Sequence, residues 1–145
     1  MGAFPDDVLA VLVAALLGAA VGAEREWRRH PGGLRSCALV AAAACVFARI
    51  AVLHGGGSAG AALGAIATGI GFLGAGVILR RGATVRGLST AATFWAVAAI
   101  GAAAGLDELG MAIALTAIVF FAHLLLRALS GWIEQHAPPA DPGPR

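Results

Sequence analysis

Five stretches of this chain carry almost no charge: Val8 to Ala23, Ser36 to Leu53, Ala61 to Leu79, Leu88 to Leu106 and Leu109 to Leu126. Arg49 is the only Asp, Glu, Lys or Arg within them. Each runs 16 to 19 residues, which in a helix covers about 24 to 29 Å of a hydrocarbon core roughly 30 Å thick. In lipid every backbone N–H and C=O has to be paired within the protein, so a spanning segment is a helix or part of a closed barrel. The period-2 alternation of a barrel strand is absent, which leaves helices.

Composition agrees. Of 145 residues, 59% are hydrophobic, 21 are Gly and 12% are charged, and the mean hydropathy is +0.86. These values exclude an intrinsically disordered chain, a coiled coil, a disulfide-stapled secreted domain and a soluble enzyme. The expected fold is an all-α integral membrane protein: one five-helix bundle over residues 1–131, with a short Pro-rich tail over 132–145. Val21-Gly22-Ala23 resembles a signal-peptide cleavage site, but Asp6 and Asp7 precede the first stretch where a signal peptide needs basic residues, so an anchored helix is expected.

Charge placement predicts orientation. Arg25, Arg28, Arg29, Arg35, Arg80, Arg81, Arg86, Arg127 and Arg145 fall on one side, whereas Asp6, Asp7, Asp107 and Glu108 mark the other. The positive-inside rule then puts the N-terminus outside and the C-terminus in the cytoplasm. Arg residues dispersed between apolar runs do not form a nucleic-acid footprint.

The third stretch has small residues on two opposite faces, one with Gly64, Gly71 and Gly74, the other with Gly69 and Gly76. Small residues let helix backbones approach in lipid, so this stretch is expected to be the central helix, with those five glycines as packing positions. Gly18 with Gly22, and Gly101 with Gly105, extend the pattern. Gly69 to Gly74 also fits GxGxxG, but without a preceding strand or a later acid the match is accidental.

Chemistry-bearing groups are sparse. Cys37 and Cys45, about 12 Å apart along one helix, read as free thiols; no cofactor is expected and metal binding is left open. Arg49 either snorkels to the outer interface or turns inward toward Asp107 or Glu108. His123 suits an interhelical hydrogen bond better than a proton relay. Thr68, Ser89, Thr90, Thr93 and Thr116 read as helix-to-helix or back-bonded hydroxyls. No acid lies within any apolar stretch, which disfavours a self-contained Mg²⁺ or proton transporter. No nucleophile–base arrangement, Walker A loop or HExxH is present, so no catalytic residue is expected.

The two basic connections are more informative. One is Glu24 to Arg35, with Trp27 at interface depth and a Pro31-Gly32-Gly33 turn; the other is Arg80 to Gly87. Their charges either set topology alone or form a polar face that docks a partner or lipid headgroups.

Gly22-Ala23-Glu24-Arg25-Glu26, Pro31-Gly32-Gly33-Leu34-Arg35-Ser36 and the block TGIGFLGAGVILRRGATVRGLSTAATFWAVAAIG over 68–101 resemble the MgtC/SapB family of bacterial inner-membrane proteins. The resemblance implies a multi-pass plasma-membrane protein linked to growth at low Mg²⁺, to survival inside phagocytes and to inhibition of the F-type ATP synthase. Its motif positions fall on Glu24, Arg25, Glu26, Leu34, Arg35, Arg80, Arg86, Thr90 and Trp95, with Gly71, Gly74, Gly76 and Gly87. Gly32 and Ser36 stand where the family pattern often has Ala and Thr. Virulence-type members carry an ACT-like C-terminal domain, so the short tail predicts a membrane-only member. The expected function is a non-enzymatic modulator in Mg²⁺ or membrane-energy homeostasis, its partners the lipid bilayer and the F-type ATP synthase or another membrane protein. The alternatives are an ion transport protein acting as a homo-oligomer and a scaffold subunit.

Overall fold

The structure, a computed structural model, describes residues 4–53, 59–82 and 84–136. It comprises α1 (Phe4–Trp27), α2 (Leu34–Leu53), α3 (Ala59–Val77), a two-stranded hairpin of β1 (Leu79–Arg81) and β2 (Thr84–Arg86), α4 (Leu88–Gly105) and α5 (Leu109–His136). All five helices are long and apolar enough to cross a membrane, so the chain is an all-α, multi-pass membrane protein.

Backbone approach between small residues builds the centre. A Cβ on Gly101 would strike the Ala41 carbonyl and one on Gly105 the Cys45 carbonyl; one on Gly18 would fall 2.6 Å from the Cys37 carbonyl oxygen. Hence α2 is gripped between α1 and α4, and Ala14, Val21, Cys37, Ala41, Cys45, Val97 and Ile100 are buried between them. Close contact here comes from dispersion and shape, because lipid offers no hydrophobic drive between helices.

The central helix is α4, not α3. Of the apolar span of α4, 61% is buried, against 11% for α3. Gly64, Gly69, Gly71 and Gly76 have nothing within 4 Å of an added Cβ, and of the five expected packing glycines only Gly74 meets a neighbour, the Ala91 Cβ at 3.3 Å. Two small faces permit close approach without dictating it. The run Gly101-Ala102-Ala103-Ala104-Gly105 is small around the whole helix, every residue in it is buried, and that lets α4 be approached from all sides.

Three boundaries also differ from expectation. Helix α3 stops at Val77 and Leu79 enters the hairpin, paired with Arg86; Gly82 at φ +61° and Gly87 at φ +94° turn the chain, and Gly87 abuts the Val77 carbonyl where no side chain fits. Helix α5 continues past Leu126 to His136, so residues 132–136 of the expected tail are helical. The remainder, 137–145, lies outside the described residues, as does the 54–58 segment. Glu24 to Trp27 belong to the last turn of α1.

Both short helix-end turns share one design. Beyond α1, Arg29 adopts φ +57°, with His30 N–H donating to the Arg25 carbonyl (2.9 Å) and Arg29 N–H to that of Glu26 (2.9 Å). Beyond α4, Asp107 adopts φ +62°, with Glu108 N–H donating to Ala103 (2.9 Å) and Asp107 N–H to Ala104 (3.3 Å). Both are Schellman closures with a non-Gly residue in the left-handed position.

Candidate functional site at the end of the first helix

Arg25 lies in the last turn of α1 and is 2% exposed. Its Nη2 donates to the Pro31 carbonyl (2.6 Å) and to Thr90 Oγ1 (2.8 Å), its Nε to the Gly32 carbonyl (3.2 Å) and its Nη1 to Thr93 Oγ1 (3.0 Å). The guanidinium thus staples the connection after α1 to α4, where Thr90 and Thr93, three residues apart, share a face. Gly32 makes the loop fit: at φ +74°, a Cβ there would fall 2.8 Å from the Phe94 ring and 2.9 Å from Thr90. All four acceptors are neutral oxygens. They replace the hydration a buried cation loses, which is the condition for keeping one inside a protein.

The acids around it are committed elsewhere. Glu24 pairs with Arg28 one turn on, and its other oxygen lies 3.3 Å from His123 Nδ1 on α5. His123 Nε2 is 3.1 Å from Thr93 Oγ1, whose hydroxyl donates to the Ser89 carbonyl at 2.8 Å. With that one proton given away, Thr93 accepts from both Arg25 and His123. Glu26 accepts the Leu34 N–H at 2.8 Å, supplying α2 with the N-terminal acid that its own first turn lacks.

Of the sequence candidates, then, Glu24, Arg25, Glu26, Leu34 and Thr90 come together, Leu34 through its backbone. Arg35 is exposed on the first turn of α2. Arg80 and Arg86 are exposed on the hairpin, Arg80 bonding Gly82 O at 3.1 Å; among the described residues neither pairs with Glu24 or Glu26. Trp95 is 57% exposed and borders a small apolar recess between α3 and α4, lined also by Leu63, Ile66 and Ile70, away from this cluster. Thr93, His123 and Gly32 also belong to this cluster, and the sequence reading ranks them too low. The i, i+3 spacing of Thr90 and Thr93 is the signal it contains. A cavity of about 510 Å³ opens beside the cluster, lined by Glu24, Arg25, Arg28, His30, Ser89, Ala122, His123 and Leu126. A larger one of about 640 Å³ between α2 and α3 is lined by apolar side chains such as Leu39, Phe47 and Leu73.

At the opposite end of the bundle Arg49, 9% exposed, turns inward. It bonds Asp7 of α1 and, at 2.7 Å, Asp107 at the end of α4. This is the inward alternative, not snorkelling; Asp107 is a partner the sequence offers and Asp7 is an added one. Between the two polar ends lie Ala14, Ala41, Cys45, Val97 and Ile100. Among the described residues, no three His, Cys, Asp or Glu side chains gather as a metal site.

The sequence profile of the MgtC family matches residues 11–132. Protein MgtC of Salmonella typhimurium is 48% identical over 128 residues, covering 88% of this chain and 55% of that protein. Protein MgtC of Brucella abortus is 42% identical over 125 residues, covering 86% and 52%. An uncharacterized protein of Synechocystis is 42% identical over 134 residues, covering 92% and 57%. The chain spans about half the length of the curated relatives it matches. No solved structure matches. With the profile running from α1 into α5 and these identities over most of its length, the chain belongs to the MgtC family.

Proposed function

We propose that this chain is a non-enzymatic modulator in Mg²⁺ and membrane-energy homeostasis, acting in the bacterial inner membrane through the Arg25 end of the bundle. The observation that carries the reading is the division of labour at that end. Arg25 is consumed internally, holding the connection rigid, while Glu24, Arg28, His30 and Arg35 stand around it at the bundle's edge. A rigid, charged rim on an apolar bundle suits docking onto another membrane protein, and the F-type ATP synthase is the partner that the family resemblance offers. The positive-inside rule puts this rim in the cytoplasm.

The test is growth at low Mg²⁺ of a deletion strain carrying the combined Glu24→Gln, Glu26→Gln and Arg35→Gln variant, with membrane levels checked by immunoblot. Normal levels with lost complementation support the reading. Full complementation reduces these charges to topology signals and removes it. Purification in mild detergent, with identification of what accompanies the chain, tests the partner.

A second reading, an oligomeric transport protein for Mg²⁺ or another ion, draws on α3. Its Gly64, Gly69, Gly71 and Gly76 are open, and a neighbouring protomer could pack there. Ion flux by the purified chain in liposomes favours this reading; absence of flux favours the modulator.

A further inference from the structure

The cavity beside Arg25 is electrically unbalanced. Among the described residues lining it, Glu24 is the one carboxylate, and its two oxygens face Arg28 and His123. Arg25 is compensated by neutral oxygens alone. Two guanidiniums therefore stand against one carboxylate, a surplus of one positive charge.

Two further features have the same bias. Ser89 lines the cavity from the first turn of α4, where Gly87 provides no side-chain cap and no acid is present, so the positive end of that helix dipole is left uncompensated on the cavity side. Arg28 meets Glu24 through Nε, and a guanidinium carries four further N–H donors in a planar fork suited to phosphate oxygens. Ala122 and Leu126 make the remaining wall apolar.

We propose that this cavity binds a phosphate-bearing anion, drawn from a phospholipid headgroup or from free phosphate. Arg28 supplies charge and His30 a ring N–H at the rim, Ser89 and the α4 N-terminus supply neutral donors, and Arg25 sets the background potential without leaving its own partners. The volume of about 510 Å³ exceeds one phosphate, which leaves room for the glycerol of a headgroup against Leu126. The inference deepens the reading of this end as the working surface, yet it is measured on purified protein without a growth assay, so either can fail while the other stands.

The experiment reads the thermal midpoint of the full chain in two arms. One compares nanodiscs of phosphatidylcholine with nanodiscs containing one quarter phosphatidylglycerol; the other adds inorganic phosphate or chloride at equal ionic strength in neutral detergent. The expected result is a rise of about 3 °C or more in at least one arm, the mass-action signature of a ligand bound to the folded state. A rise with phosphatidylglycerol alone assigns the headgroup, and a rise with inorganic phosphate assigns the free anion. Arg28→Gln combined with His30→Gln abolishes the rise, and Ser89→Asp, which leaves Arg28 and His30 in place, abolishes it independently. Arg80→Gln combined with Arg86→Gln, basic but outside the cavity, leaves it unchanged. No rise in either arm, or equal loss in the hairpin variant, overturns the proposal.

Discussion

Arg25 Nη2 and Thr90 Oγ1 are 2.8 Å apart and 65 residues apart in sequence, so one hydrogen bond joins the end of the first helix to the start of the central one. A hydrogen bond from a charged donor is worth about 1.5 to 3 kcal/mol, and removing the donor takes the charged partner from four acceptors at once. Arg25→Ala is therefore expected to lower the melting temperature in dodecyl maltoside far more than Thr90→Val, which removes one acceptor of four at about 1 to 2 kcal/mol. Arg25→Lys, without the planar fork, falls between them. Equal melting temperatures for Arg25→Ala and the native chain would show that the staple is not structural.

Gly101 and Gly71 separate the central helix from the peripheral one. Gly101 lies against the Ala41 carbonyl, whereas Gly71 has nothing within 4 Å. Gly101→Leu should abolish recovery of folded, monodisperse protein, since overpacking against backbone exceeds the 1 to 3 kcal/mol or so typical of side-chain crowding. Gly71→Leu should leave the isolated chain within about 0.5 kcal/mol of native. A sharp loss for Gly71→Leu would mean that α3 is covered by a second chain.

The difference between these two glycines marks what a sequence can show. The five spans are legible because lipid enforces length and apolarity, and the inward turn of Arg49 is legible as one of two options because a charge at that depth needs a partner. Which small helix takes the centre is not legible, since Gly and Ala permit approach equally in α3 and α4 and only the geometry of five bodies decides. The three-residue strands Leu79–Arg81 and Thr84–Arg86 are too short to show a period. Arg25 reads as an interfacial charge from its neighbours Glu24 and Glu26; its burial rests on Thr90 and Thr93, which local pattern does not connect to it.

Arg49 holds two carboxylates of unequal exposure, Asp7 with a side chain 29% exposed and Asp107 with one 79% exposed. An exposed pair contributes about 0 to 1 kcal/mol, so Asp107→Asn alone is expected to be mild and Asp7→Asn larger. Losing both leaves a buried guanidinium without counter-charge, and the double variant should destabilise by more than the sum of the singles. Additive melting shifts would show that the two ion pairs act independently. Asp107→Gly is a useful contrast: it relieves the left-handed backbone at φ +62° while discarding the carboxylate.

Orientation is tested at the same two ends. Reporter fusions active only in the cytoplasm should signal after Arg35 and after Arg86 and stay silent after Glu108, because the Arg-rich connections lie at the Arg25 end and Asp107 at the Arg49 end. Activity after Glu108 would reverse the orientation and place the phosphate-binding cavity outside the cell.

Glu26 tests whether the first connection is held by its own side chains or only by the helices beside it. Its carboxylate accepts the Leu34 N–H at 2.8 Å, and a Cβ on Gly33 would fall 2.8 Å from the same oxygen. The absence of a side chain at Gly33 is thus what lets Glu26 reach the start of α2. Loss of an N-terminal cap costs about 0.5 to 2 kcal/mol, so Glu26→Ala should lower stability by that order and Glu26→Gln, which keeps an acceptor but not the charge on the helix dipole, by less. Gly33→Ala should reproduce Glu26→Ala by evicting the carboxylate, and the two changes combined should be no worse than either alone. If Gly33→Ala is neutral while Glu26→Ala is not, the cap forms without the close approach and Gly33 is needed only for the turn.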